Sequence, residues 1–160
     1  MTNLILTGGE RRKRSIELVH RLDTMPGRHW LIAVPCGLPK HLPDGIDAIG
    51  LDDLDGALGL LDRIHGPGAL AVESVDYWCL GASTPIPNPD NNPQVAAWNK
   101  AASDAARKRA RFRHAMQELA DREPDLSILL TATTRENAVR LLGEYPMGVS
   151  AHGCEYRETT

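Results

Sequence analysis

Two separated stretches of this sequence carry residue types that could handle phosphate together. The first is Gly8-Gly9-Glu10-Arg11-Arg12-Lys13-Arg14-Ser15, which follows the apolar run Leu4-Ile5-Leu6. A strand that gives out into glycines and then into a helix start aims backbone N–H groups and the positive end of the helix dipole at one spot, where an anion is stabilised. The phosphate-loop pattern G-x-x-x-x-G-K-[ST] is met at its ends by Gly8 and Ser15, while Lys13 stands at the second glycine and Arg14 at the lysine. Four cations beside a positive dipole end repel it and one another, so a bound anion is their natural complement. Gly8, Gly9, Lys13, Arg14 and Ser15 are therefore the expected phosphate-binding residues. The second stretch is Ala69-Leu70-Ala71-Val72-Glu73. An acid directly after a buried strand can hold Mg²⁺ through water while a loop hydroxyl binds it directly. Ser15 and Glu73 are thus the expected metal ligands, with Glu73 also expected to be catalytic and Asp76, three residues on, placed to assist.

Other chemistry is sparse. His41, in a loop after a strand, is the one histidine expected to take part in chemistry. His20, His29, His41, His65, His114 and His152 show no zinc-ligand spacing with one another or with cysteine. Lys100, Arg107, Lys108, Arg109, Arg111 and Arg113 crowd one helical stretch, and read mainly as a solvated face from which one or two could clamp a phosphate. At 4% aromatic residues, stacking partners for nucleic acid are few.

The elements that must position these residues alternate. Leu4 to Thr7 reads as a strand and about Glu10 to Asp23 as a helix, with Ile16, Val19 and Leu22 on its apolar side. Met25-Pro26-Gly27 ends that helix. Trp30 to Val34 is a continuous apolar run, the mark of a strand covered on both faces. A loop over 35–45 and a short strand at Ile46 to Ile49 follow, then a helix over Asp52 to Ile64 and a strand at Ala69 to Val72. After a Pro/Asn-rich loop over 81–93 come a long helix from Gln94 to Arg122, a strand at Ser127 to Ala132, and a helix that Thr134 can cap, reaching Leu142. Gly148 to Ala151 reads as a last edge strand. Strands alternating with helices predict a three-layer, P-loop NTPase-like α/β domain with a mostly parallel central sheet, spanning residues 1–152, with 153–160 as a loose tail. Strand 1 and the Ala69–Val72 strand are expected near its centre.

A length of 160 residues suits one domain able to bury about two-thirds of its unfolded surface. A net charge of −3 gives no global pull toward nucleic acid or an anionic membrane. No apolar run reaches membrane-span length and no leader pattern opens the chain. Three dispersed cysteines, Cys36, Cys79 and Cys154, read as free thiols in a reducing compartment, and a cytoplasmic location is the expectation.

These residues resemble the bifunctional adenosylcobinamide kinase / adenosylcobinamide-phosphate guanylyltransferase family. That family opens with a strand and G-G-x-R-S-G-K-S, matched in outline by Gly8 to Ser15. Its V-L-V-D-C-L-T-L-W segment is echoed by Leu70-Ala71-Val72-Glu73-Ser74-Val75-Asp76-Tyr77-Trp78, and its R-x-F-R helix before a strand by Arg109 to Arg113 and then Leu126 to Thr131. The resemblance implies Mg²⁺ with ATP or GTP, a small-molecule substrate, possible homo-oligomerisation, and His41 near the place of the guanylyl-accepting histidine. Three function classes follow: a nucleotide-dependent kinase or nucleotidyltransferase, a catalytically degenerate nucleotide or phosphate binder serving as a partner subunit, and an interaction protein using its basic helix.

Overall fold

Alternation along the strands divides the apolar side chains between two faces of one sheet, and that division lays out the fold. The computed structural model describes residues 3–33, 42–50, 54–76, 88, 90, 92–144, 149 and 154–160. In chain order the elements are β1 (Leu4–Thr7), α1 (Arg11–Thr24), β2 (Arg28–Ala33), β3 (Ile46–Gly50), α2 (Leu54–Arg63), β4 (Gly68–Val72), α3 (Asn92–Arg122), β5 (Ser127–Thr131), α4 (Arg135–Glu144) and β6 (Glu155–Glu158). All strand pairs are parallel, in the order β3-β2-β4-β5-β1-β6. Leu4 and Leu6 of β1 pack with Leu18, Val19 and Leu22 of α1. Ile5 faces the other way, into a cluster that takes residues from α2, α3 and α4. The result is the expected three-layer α/β architecture.

Crossover handedness explains why, among the described helices, α1 stands alone on its face. The connection from β1 to β2 crosses the sheet in one direction, whereas those from β3 to β4, β4 to β5 and β5 to β6 run in the other. Parallel crossovers are right-handed almost without exception, so reversing direction moves the helix to the opposite face. The neighbouring strands β1 and β5 consequently lead to helices on opposite sides. Their carboxyl ends open the crevice in which doubly wound sheets take their ligands.

Several expectations shift. The Ala69–Val72 strand, β4, is central, but β5 separates it from β1, and β1 is one place in from the edge. Part of the tail expected over 153–160 is strand: Glu155–Glu158 pairs with β1 in register, Leu4 with Glu155 through Thr7 with Glu158. Its mainly charged side chains carry no apolar signal, so the backbone ladder rather than core burial makes it a strand. Of the apolar side expected on the helix over 11–24, Val19 and Leu22 are buried, together with Arg14, Ser15 and Leu18, whereas Ile16 is 54% exposed. Of the apolar side expected on the long helix, Phe112, Met116 and Leu119 are buried. The strand expected at Gly148 to Ala151 lies outside the described residues save for Val149, and so do His41 and most of the 81–93 loop. Among the described residues no helix is long and apolar enough to cross a membrane.

The end of α3 is fastened to the end of α2. Arg122 donates from Nη2 to Leu61 O at 2.9 Å and Ile64 O at 3.3 Å, satisfying carbonyls that a helix C-terminus leaves without partners. Next to it, Glu123 accepts the Gly66 N–H at 3.1 Å and meets His65 Nδ1 at 3.2 Å. The Gly66 amide first, and then His65, hold the Glu123 carboxyl below the usual carboxylate range. A depressed acid stabilises the fold above its unfolded value, about 4.3 for Glu, and that stability is lost as pH falls through the lower folded value. Glu123→Gln should accordingly lower the thermal midpoint at neutral pH, with the gap from the parent closing below about pH 4. A gap that stays constant into acid would show that the carboxylate charge is not what fastens the two helices.

Candidate phosphate and cation site

The turn after β1 is short, and that fixes what each residue of the basic stretch can do. Gly8 and Gly9 take φ of 74° and 61°, the left-handed region that glycine enters without a steric cost. Glu10 is the N-cap, and α1 begins at Arg11, with the Arg14 N–H already donating to Glu10 O at 3.1 Å. Lys13, Arg14 and Ser15 therefore stand in the first turns of a helix, and no long loop wraps around a ligand. The Glu10 side chain makes no cap hydrogen bond. Helical spacing then sorts the cations: Arg11, Arg12 and Lys13 are exposed, whereas Arg14 and Ser15 turn in toward the sheet at 6% and 3% exposure.

Arg14 spends its inward reach on the protein itself. Nη1 donates to Gly8 O at 2.7 Å and to Gly9 O at 2.6 Å, so the guanidinium tethers the turn to the start of its own helix. Burial pulls the Arg14 pKa down, while the charges of Asp76 and Glu73 push it back up and Arg11 pulls it down again. A guanidinium remains charged under such pressures. Two buried acids, Glu73 at 1% and Asp76 at 5% exposure, thus lie within electrostatic reach of Arg14.

Those acids come from the end of β4. The Glu73 N–H continues the ladder to Ile32 O at 2.9 Å. Its carboxylate accepts a short hydrogen bond from the Ser15 hydroxyl, 58 positions away in sequence. Ser15 Oγ also lies 3.0 Å from Arg11 O and shares its one proton between the two acceptors. Ser74 follows with φ of 54°, an uncommon conformation for a residue with a side chain, and its N–H is held by Thr131 Oγ1 at 2.7 Å. Asp76 Oδ2 accepts the Thr133 N–H at 3.0 Å and Asn137 Nδ2 at 3.1 Å, while its buried Oδ1 has no hydrogen-bond partner. The loop after β5 closes the arrangement, since the Gly8 N–H donates to Thr133 O at 3.1 Å.

The Ser15 hydroxyl, the Glu73 carboxylate and the spare oxygen of Asp76 are hard oxygen donors, the type that suits Mg²⁺. Because Mg²⁺ keeps several waters and takes only one or two protein carboxylates, it fits this set. It needs no group of three His, Cys, Asp or Glu, and none occurs among the described residues. Of the residues expected from sequence, the fold brings Gly8, Gly9, Arg14, Ser15 and Glu73 into one cluster and leaves Lys13 at the surface beside it. Lys13 lines a cleft of about 320 Å³ with Ile16, Arg157, Glu158 and Thr159. A second cleft of about 190 Å³ lies across Gly8, between Thr133, Thr134, Arg135 and Tyr156. The roles of Asn137 and of the last strand were not foreseen, for neither carries a sequence signal beyond ordinary polarity.

Replacing Arg14 by methionine keeps the stem and removes the charge. The loss of two hydrogen bonds from a charged donor to the Gly8 and Gly9 carbonyls should cost at least about 1.5–3 kcal/mol in urea denaturation. A loss below about 0.5 kcal/mol, the scale of ordinary surface substitutions, would mean that Arg14 is not the cation of this cluster.

Compared with known proteins, the chain matches no family model, no curated protein and no solved structure.

Proposed function

We propose that this chain binds a Mg²⁺–nucleoside triphosphate, ATP or GTP, at the crevice between β1 and β5. Its plan is that of a small-molecule kinase or nucleotidyltransferase, and its altered loop slows or abolishes turnover. The observation that carries this reading is the contact between Ser15 and Glu73, which joins the hydroxyl of the β1–α1 stretch to the acid that ends β4. In this reading Ser15 and Glu73 hold the cation and Asp76 orders its waters. The N–H groups at the start of α1 and the Lys13 ammonium face the phosphates. Mg²⁺ held by Ser15 and Glu73 would supply positive charge against the phosphate oxygens. The resemblance to the adenosylcobinamide kinase and guanylyltransferase family supports the same assignment and makes the acceptor a small molecule.

Binding with little turnover is favoured over rapid transfer by Arg14. A lysine in that position would be free to follow the outer phosphates, whereas this guanidinium is committed to the carbonyls of Gly8 and Gly9.

A thermal-shift series with ATP and GTP, each with and without Mg²⁺, tests the reading. A ligand at a hundred times its dissociation constant should add about 2.7 kcal/mol of stability. Ser15→Ala and Glu73→Gln should remove the Mg²⁺ dependence of that gain. Lys13→Gly combined with Arg14→Lys should raise nucleotide affinity. No stabilisation by any nucleotide, in the parent or in the double variant, would overturn the proposal.

A further inference from the structure

The turn that this reading assigns to phosphate is covered from outside by the segment that follows it in space but lies far from it in sequence. The Thr159 N–H donates to Thr7 O at 2.7 Å, extending the β6 ladder one residue past the end of β1. There the segment lies directly on the glycines. A Cβ on Gly8 would stand 2.8 Å from Glu158 Cγ and 3.0 Å from Glu158 Oε1, and one on Gly9 would stand 2.6 Å from Thr159 O. Arg14 grips the carbonyls of the same two glycines from the core side. The turn is therefore held between two layers, and its outer layer brings a carboxylate to the place where a phosphate would sit.

Resting on the nucleotide reading above, we propose that Glu155–Thr159 is an inhibitory strap, whose docking on Gly8 and Gly9 and the binding of a phosphate ligand exclude each other. Two physical terms set the exclusion. Glu158 repels an anion approaching the turn, and the Thr159 carbonyl fills the space over Gly9 that a phosphate oxygen would need. The strap is also inexpensive to release. Among the described strands β6 is an edge, bonded to β1, with Glu155, Arg157 and Glu158 exposed and Tyr156 its apolar anchor on the core. Elements with few buried contacts are the ones that open locally at low cost. Because coupling is reciprocal, whatever captures the freed strand would tighten nucleotide binding by the same factor that nucleotide loosens the strap.

Two substitutions release the strap without touching the turn. Glu158→Gln removes the charge, and Thr159→Pro removes the N–H given to Thr7 O. Each should raise the affinity of the full chain for Mg²⁺–ATP, and for Mg²⁺-free inorganic tripolyphosphate, by about five-fold or more. Hydrogen exchange supplies an independent readout: in the parent, saturating ligand should speed exchange at the amides of residues 155–159. If the parent binds nucleotide, neither variant binds it more tightly, and these amides stay equally protected with ligand, the strap inference is overturned and the nucleotide reading stands. If no protein of the set binds either probe, the nucleotide reading fails and the strap falls with it.

Discussion

A single buried guanidinium holds the candidate site together. Two buried carboxylates stand at the end of β4, and their charges act on Arg14, which reaches in from the facing helix. The same group satisfies the carbonyls of Gly8 and Gly9, which the left-handed turn directs at the helix. Removing a buried charge from such a set costs more than the set contributes as a whole, because it leaves uncompensated partners behind. Leu18, Val19 and Leu22 share the buried face of α1 with Arg14 and Ser15, so one orientation serves both the apolar stripe and the polar cluster, and Ile16 lies off that face.

Topology makes that meeting possible. With α1 on the face opposite the other described helices, its first turns lie across β5 and β4 and can reach to Glu73. The loop after β5 fills the gap between: the Thr131 hydroxyl accepts the Ser74 N–H, while Thr133 donates its N–H to Asp76 and accepts the Gly8 N–H at its carbonyl, so the turn after β1 is tied to the turn after β4. Three loops from three adjacent carboxyl ends are thus cross-bonded at one place. The left-handed Ser74 sits between the two acids and turns the chain so that Glu73 and Asp76 both point inward. Strain of that kind persists only where surrounding bonds over-determine it.

The edge of the sheet adds a further constraint. β1 has a neighbour on each side, and its outer neighbour β6 is charged rather than apolar, a composition that also discourages pairing with another chain. Because its ladder runs past the end of β1, β6 brings Glu158 and Thr159 onto the very residues that lack side chains to resist them. Gly8 and Gly9 are needed twice over, once for backbone conformation and once for the closeness of that cover.

The sequence by itself determined the elements. Apolar runs and helix periodicity marked β1, β2, β4, β5 and the four helices, because those signals come from residues a few positions apart. It also marked Gly8, Arg14, Ser15 and Glu73 as chemically interesting by type and spacing. Tertiary structure alone decided which groups meet. That Ser15 touches Glu73 depends on strand order and crossover direction, neither of which leaves a local trace. That Arg14 faces carbonyls and acids depends on how α1 is turned against the sheet, which places it on the same face as Leu18, Val19 and Leu22. That Glu155 to Glu158 is a strand depends on the hydrogen-bonding edge of β1, since its own side chains bury too little to announce it.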